Sequence, residues 1–210
     1  MAGTESAMSS GEHSKPMTGP VENEEAGYLT RHLEGDRGAF GELIEAYRAP
    51  VYGYLTRCGV ALEDRDDLFQ DIFVKIHRAA ATYDPGRPLH PWLFTIVCNT
   101  VRNHLRRQRV RRLFFSAEST EDLPDSVDPA ADGERRAEAR QQVDRLERAM
   151  QRLPLRQREV VILAAVQRRP LKEVATVLGL NLNTVKTRLR RGRSALAAAL
   201  GRQEFSGGER

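Results

Sequence analysis

Cysteine is scarce in this chain: Cys58 and Cys98 are the only two in 210 residues, too few for a disulfide scaffold or a four-cysteine zinc site. Long apolar runs are missing as well. None approaches the ~18 residues that a membrane span needs, and residues 1–20 lack the apolar stretch of a secretory signal, so a cytoplasmic protein is expected. No segment alternates apolar and polar residues cleanly, which argues against strands. Lysine is nearly absent: Lys15, Lys75, Lys172 and Lys186 are the only four among 33 basic residues. What remains is ordinary for a folded protein, with 40% hydrophobic residues and a net charge of +4 at a mean hydropathy of −0.53. Wholesale disorder is excluded.

Charge is segregated along the chain. Residues 102–112 carry six arginines and no acid, and residues 182–193 carry five basic residues and no acid. Between them, residues 116–134 carry seven acids and no base. Two basic blocks around an acidic spacer suggest two contacts with one polyanion. The plain alternative is an arginine-rich composition with solvated helix faces.

Apolar spacing divides the chain into two helical units. Phe40, Leu43, Ile44 and Tyr47 form an amphipathic stripe; Leu68, Ile72, Phe73 and Ile76 form a second; Trp92, Leu93, Ile96, Val97 and Val101 open a third helix that runs into the first arginine block. Residues 83–91 hold Pro85, Gly86, Pro88 and Pro91 and read as a loop. The expected fold is all-α: two small helical domains, residues 26–115 and 143–203, joined by a flexible acidic linker over 116–142. Residues 1–25 and 204–210 read as loose tails.

The most informative stretch is residues 171–200. A helix containing Val174, Ala175, Val177 and Leu178 stops at Gly179, where a left-handed residue suits a tight exit. Ala175 and Gly179 are small enough to let two helices cross closely. Asn181 is placed to cap the next helix. In that helix Val185, Leu189, Gly192 and Leu196 share one face, while Asn183, Lys186, Thr187, Arg190 and Arg191 point elsewhere. An anchored helix with Lys, Thr and Arg outward suits the major groove, so the pair reads as a helix-turn-helix. An ordinary helical corner with a solvated basic face is the bland alternative.

Leu153-Pro154 with Gln157-Arg158-Glu159-Val160, Glu173-Val174-Ala175 to Leu178-Gly179, and Thr184-Val185-Lys186-Thr187-Arg188-Leu189 resemble the promoter-binding C-terminal domain of extracytoplasmic-function sigma factors. Gly35-Asp36 with Ala39-Phe40, Asp67-Leu68-Phe69-Gln70-Asp71-Ile72-Phe73, and Trp92-Leu93-Phe94-Thr95-Ile96 with Asn99 and Arg106-Arg107 resemble the same family's core-binding and DNA-melting domain. Both matches run in the family's order over roughly residues 26–200. The chain departs from the family at Arg168 and Pro170, where Gly then Ser are frequent, and at Asn103 and Asn183; these bear on which promoter sequence is read.

The resemblance implies a specificity subunit of RNA polymerase with no catalytic chemistry, cofactor or metal of its own. Asp67, Leu68, Gln70, Asp71 and Phe73 would dock on the clamp helices of the largest polymerase subunit. Leu89, Asn99, Arg102, Asn103, Arg106 and Arg107 would serve the minus-ten element, Leu89 and Asn99 lining a pocket for a flipped base. Asn183, Lys186, Thr187, Arg190 and Arg191 would read the minus-thirty-five element. An anti-sigma factor is a common partner in the family. The acidic linker would occupy the RNA-exit path or act as a plain solubilising tether.

Other readings compete at particular residues. Asp64, Asp66, Asp67 and Asp71 could form a metal site, although such density is common where a helix dipole favours acids. A one-component DNA-binding regulator would use the same helix-turn-helix but leave the N-terminal matches without a purpose. A nuclease or recombinase would need a nucleophile such as Tyr54 or Tyr83, neither in a recognisable catalytic setting. Trp92 reads as core rather than a base contact, and Cys58 and Cys98 as buried inert thiols.

Overall fold

The computed structural model describes residues 22–115 and 134–201. The spacer over 116–133, the first 21 residues and residues 202–210 lie outside that description, so the expected C-terminal tail, most of the expected N-terminal tail and most of the linker do too; residues 22–25, expected to belong to that N-terminal tail, instead open a helix. The described residues contain eight α-helices and no strand.

The first unit consists of α1 (Glu22–Leu33), α2 (Ala39–Cys58), α3 (Leu62–Ala79) and α4 (Leu89–Phe115). The start of α2 is held by Asp36, whose Oδ1 accepts from the Gly38 and Ala39 amides at 2.8 and 3.3 Å. Such a bond satisfies donors that have no partner within the helix. The helix ends at Gly59, whose φ of +84° lets Gly59 N and Val60 N fold back onto Thr56 O and Leu55 O. A residue with a side chain would be strained there.

The predicted stripes become buried faces. Leu43 and Tyr47 of α2 meet Leu68, Phe69, Ile72, Phe73 and Ile76 of α3 and Leu93, Phe94, Val97 and Val101 of α4 in one core. The expected loop over 83–91 is shorter. It ends at Pro88, and α4 begins at Leu89 with Pro91 as its third residue. Proline is tolerated in a first turn because the amide it lacks would have no helical acceptor. The Tyr83 hydroxyl donates to Arg87 O at 2.6 Å and pins the loop's return.

The second unit consists of α5 (Glu134–Arg152), α6 (Leu155–Val161) with a π turn over Ile162–Val166, α7 (Leu171–Leu178) and α8 (Leu182–Ala199). Helix α5 starts at Glu134, inside the stretch expected to be linker. Between the π turn and α7, Arg168 adopts a φ of +55°. That left-handed geometry favours glycine, the residue frequent at this point in the resembled family. Gly179 is left-handed too, at φ +63°, as its place at the helix exit predicts. The expected close crossing at Gly179 is not found, since a Cβ there would meet nothing within 4 Å. The close approach lies at Gly192, where a Cβ would stand 2.7 Å from Val161 Cγ2 and α8 presses against α6.

The two units do not stand apart. Helix α4 packs along α7, and α2 packs along α5 and α6. One continuous apolar cluster runs from Leu29 to Leu196.

Candidate nucleic-acid interface

Helix α8 sorts its residues as the spacing predicts. Val185, Leu189, Gly192 and Leu196 are buried, while Asn183, Lys186, Arg190 and Arg191 are exposed and Thr187 is half-buried. Asn181 caps the helix, its Oδ1 accepting from Thr184 N at 2.8 Å. The exposed side therefore has a fixed orientation and a surplus of donors for a polyanion.

The arginine block lies on the second half of α4. Asn99, Asn103, Arg106, Arg107, Arg109 and Arg111 are exposed. They do not form one uniform row. Arg107 and Arg111 border a cleft shared with Asp64, Asp67 and Asp71 of α3, so part of the block faces carboxylates. Arg102 is only half-exposed and points into the seam between the two units.

One expected member of the minus-ten set is corrected. Leu89 is 1% exposed and belongs to the core; in the first turn of α4 it is packed away from any base. Trp92 also packs against the core, its ring 5.3 Å from that of Tyr83. Asn99 remains exposed, with Oδ1 at 3.5 Å from Arg102 Nη1.

On α3 the polar and apolar halves of the expected docking set part company. Asp67, Gln70 and Asp71 are exposed. Leu68 and Phe73 are not; at 6% and 4% exposure they face the core, where Phe73 packs on Phe69 and Phe40. Val74, exposed one turn from Gln70 and Asp71, supplies an apolar side chain on the outer face that spacing alone had not singled out. Three of the four aspartates considered for a metal turn to different partners. Asp64 accepts from Gln108 and lies 3.5 Å from His104 Nε2, Asp66 accepts from the Tyr52 hydroxyl, and Asp71 pairs with Lys75 Nζ at 2.7 Å.

Comparison with known families decides what these surfaces belong to. Residues 43–111 match the model for Sigma-70 region 2, and residues 144–196 match Sigma-70, region 4. The chain is 34% identical to the RNA polymerase sigma factor CnrH of Cupriavidus metallidurans, over 79% of this chain and 88% of that protein. It is 33% identical to the ECF RNA polymerase sigma factor SigM of Mycobacterium tuberculosis, over 87% and 88%. The chain belongs to the extracytoplasmic-function sigma factors. The solved structure of CnrH in complex with the cytosolic domain of CnrY aligns with a TM-score of 0.62 at 26% identity, covering 84% of this chain and 97% of that one.

A sigma factor binds core RNA polymerase and directs it to promoters, and a region 2 match has no place in a one-component regulator. In this sigma factor the seam between regions 2 and 4 is polar at its centre. Arg102 donates through Nε to Glu159 Oε1 at 2.6 Å and through Nη2 to Oε2 at 3.0 Å, and the Tyr54 hydroxyl donates to Oε1 at 3.3 Å. Arg158 Nη1 donates to Cys58 O at 2.6 Å, and Gln167 Nε2 to Pro50 O at 3.3 Å. His90 Nδ1 lies 2.7 Å from Glu173 Oε1, and Arg169 Nε lies 3.7 Å from the same oxygen.

Burial pushes the Cys98 thiol up to about 12 and the Cys58 thiol well above its ordinary value, so neither is a nucleophile at neutral pH. Several of these seam residues are visible in the sequence, Arg102 in a basic block and Arg158, Glu159 and Glu173 inside family motifs, but their pairing across the seam is not. Glu159 was visible only as part of a family motif, because a buried carboxylate is recognised by its partner 57 residues away.

Proposed function

We propose that the first unit docks on polymerase and opens the minus-ten element, while the second reads the minus-thirty-five element. The observation that carries this reading is the separation of faces. Exposed acids lie on α3, exposed arginines and amides lie along α4, and an anchored helix presents Lys186, Thr187, Arg190 and Arg191. Asp67, Gln70 and Asp71, with Val74 at their apolar edge, meet a basic surface of the polymerase; opposite charge speeds such docking and sets its register. Asn99, Asn103 and Arg106 face the minus-ten DNA, where phosphate contacts position the duplex and an amide can read a base edge.

The protein works in the cytoplasm, where its polymerase is, and contributes no bond-making chemistry. A partner of anti-sigma type holds it in reserve. The complex of the similar CnrH with the cytosolic domain of CnrY supports that relation.

The test is core binding by charge-reversed variants. Asp67→Lys with Asp71→Lys should reduce affinity for core polymerase by at least tenfold and abolish run-off transcription, while helical content by circular dichroism stays unchanged. Unaltered affinity in a titration against core enzyme would remove α3 as the docking face.

A further inference from the structure

Among the described arginine side chains of the α4 block, Arg102 has its guanidinium taken up across the seam. Nε and Nη2 meet the two oxygens of Glu159 at 2.6 and 3.0 Å. This is the parallel two-bond fork that guanidinium also makes with a phosphate. The Glu159 side chain is 2% exposed, so no duplex reaches Arg102 by this route while the units stay packed.

Distance makes the packed form unsuited to a whole promoter. A compact body of this size is roughly 40 Å across. Elements about 25 base pairs apart are separated by about 85 Å of duplex at ~3.4 Å per base pair. The two units must part for both elements to be engaged together. The 18 residues over 116–133 have a contour of about 60 Å, which allows that separation.

We propose that Glu159 is an internal phosphate mimic that latches regions 2 and 4 together in the free chain and withholds Arg102 from DNA until the units separate. The proposal rests on the reading of α4 as a phosphate-binding face. Several seam contacts are made to groups that water can satisfy once exposed: Gln167 to Pro50 O, Arg158 to Cys58 O, and His90 beside Glu173. Parting therefore strands few polar groups; what opposes it is the apolar cluster that the two units share. The reading face of α8 remains exposed throughout. The latch thus masks one DNA contact and fixes the spacing of both modules.

The experiment uses the full chain without polymerase. Glu159→Gln removes the charge and places an amide donor against a guanidinium that offers only donors. Its scattering radius should increase, and its affinity for a short duplex of arbitrary sequence should rise by roughly tenfold as the competent fraction grows. The dependence of that affinity on salt should steepen by about one unit for the regained phosphate contact. Gln167→Ala, on a different part of the seam, should move both readouts the same way but less. Should Glu159→Gln fail to keep its helical signal, Gln167→Ala decides alone.

A folded variant that stays as compact as the parent, or that expands without gaining affinity or salt slope, overturns the latch. The underlying phosphate reading is checked separately with Arg102→Ala in the polymerase holoenzyme. If its salt slope on promoter DNA equals the parent's, that reading fails rather than the latch alone.

Discussion

At Gly192 the chain has no room for a methyl group: a Cβ would stand 2.7 Å from Val161 Cγ2 and 3.7 Å from Gln157 Cβ. Alanine in a helix interior gains about 1 kcal/mol over glycine, whereas forcing an extra carbon into a packed core costs typically 1–3 kcal/mol. Val161 is branched at Cβ and buried, so it has little freedom to turn away. Gly192→Ala should therefore lower the thermal midpoint, and Val161→Ala in the same chain should recover part of the loss. A midpoint equal to the parent's would mean that α8 and α6 slide apart without penalty. Spacing was enough to place Gly192 on the buried face of α8. It was not enough to say that glycine is required there, because the reason lies on α6. Leu89, Leu68 and Phe73 show the same limit from the other side. Their positions in a motif were legible, but the face each one presents depends on helices that the motif does not contain.

Among the elements, α4 draws most on both units. Its first turn carries His90, stacked on Phe94 at 4.3 Å between ring centroids, 6.2 Å from the Tyr47 ring of α2 and facing Glu173 and Arg169 from the second unit. Burial pulls the His90 pKa below its ordinary 6.5, against the upward pull of the Glu173 carboxylate, so the imidazole is neutral at pH 7. The sign follows from proton counting. Below pH 6.5 the unfolded chain binds a proton at this site more readily than the folded one, so stability present above that value falls as the medium is acidified. The parent should lose more of its thermal midpoint than His90→Phe between pH 7.5 and pH 5.5; equal losses would show that another group governs acid sensitivity. The helices themselves were largely readable from apolar spacing, proline and glycine. Their junctions were less so. Pro91 reads as loop because proline commonly breaks helices, yet it sits where a helix accepts it. Glu134 starts a helix in a stretch whose acidity alone suggested a spacer.

For the whole molecule, the two helices proposed to face DNA differ in burial, which implies two kinds of contact that can be separated by measurement. Helix α8 is anchored through Val185, Leu189 and Leu196, so Arg191 leaves the body in a fixed direction. An arginine held in this way can donate to guanine O6 and N7, a contact that discriminates by ~1–3 kcal/mol, or roughly tenfold to a hundredfold. Arg106 is also exposed, but on α4, where the adjoining Arg107, Arg109 and Arg111 make a basic stretch suited to phosphates rather than base edges. The sequence alone already separated these two blocks; their packing into one closed body was not legible, because it rests on pairings such as Arg102 with Glu159 that leave no local pattern. In the polymerase holoenzyme, where both elements are engaged, Arg191→Ala should weaken binding to a cognate minus-thirty-five element and relax preference at one base pair. Arg106→Ala should instead weaken cognate and mismatched promoters alike and lower the salt slope by about one unit. Binding measured for both variants on both promoters at several salt concentrations distinguishes the two. If Arg191→Ala lowers affinity equally on cognate and mismatched DNA with a shallower salt dependence, α8 grips the backbone, and sequence is read elsewhere along its exposed face, with Lys186 and Arg190 the next residues to test.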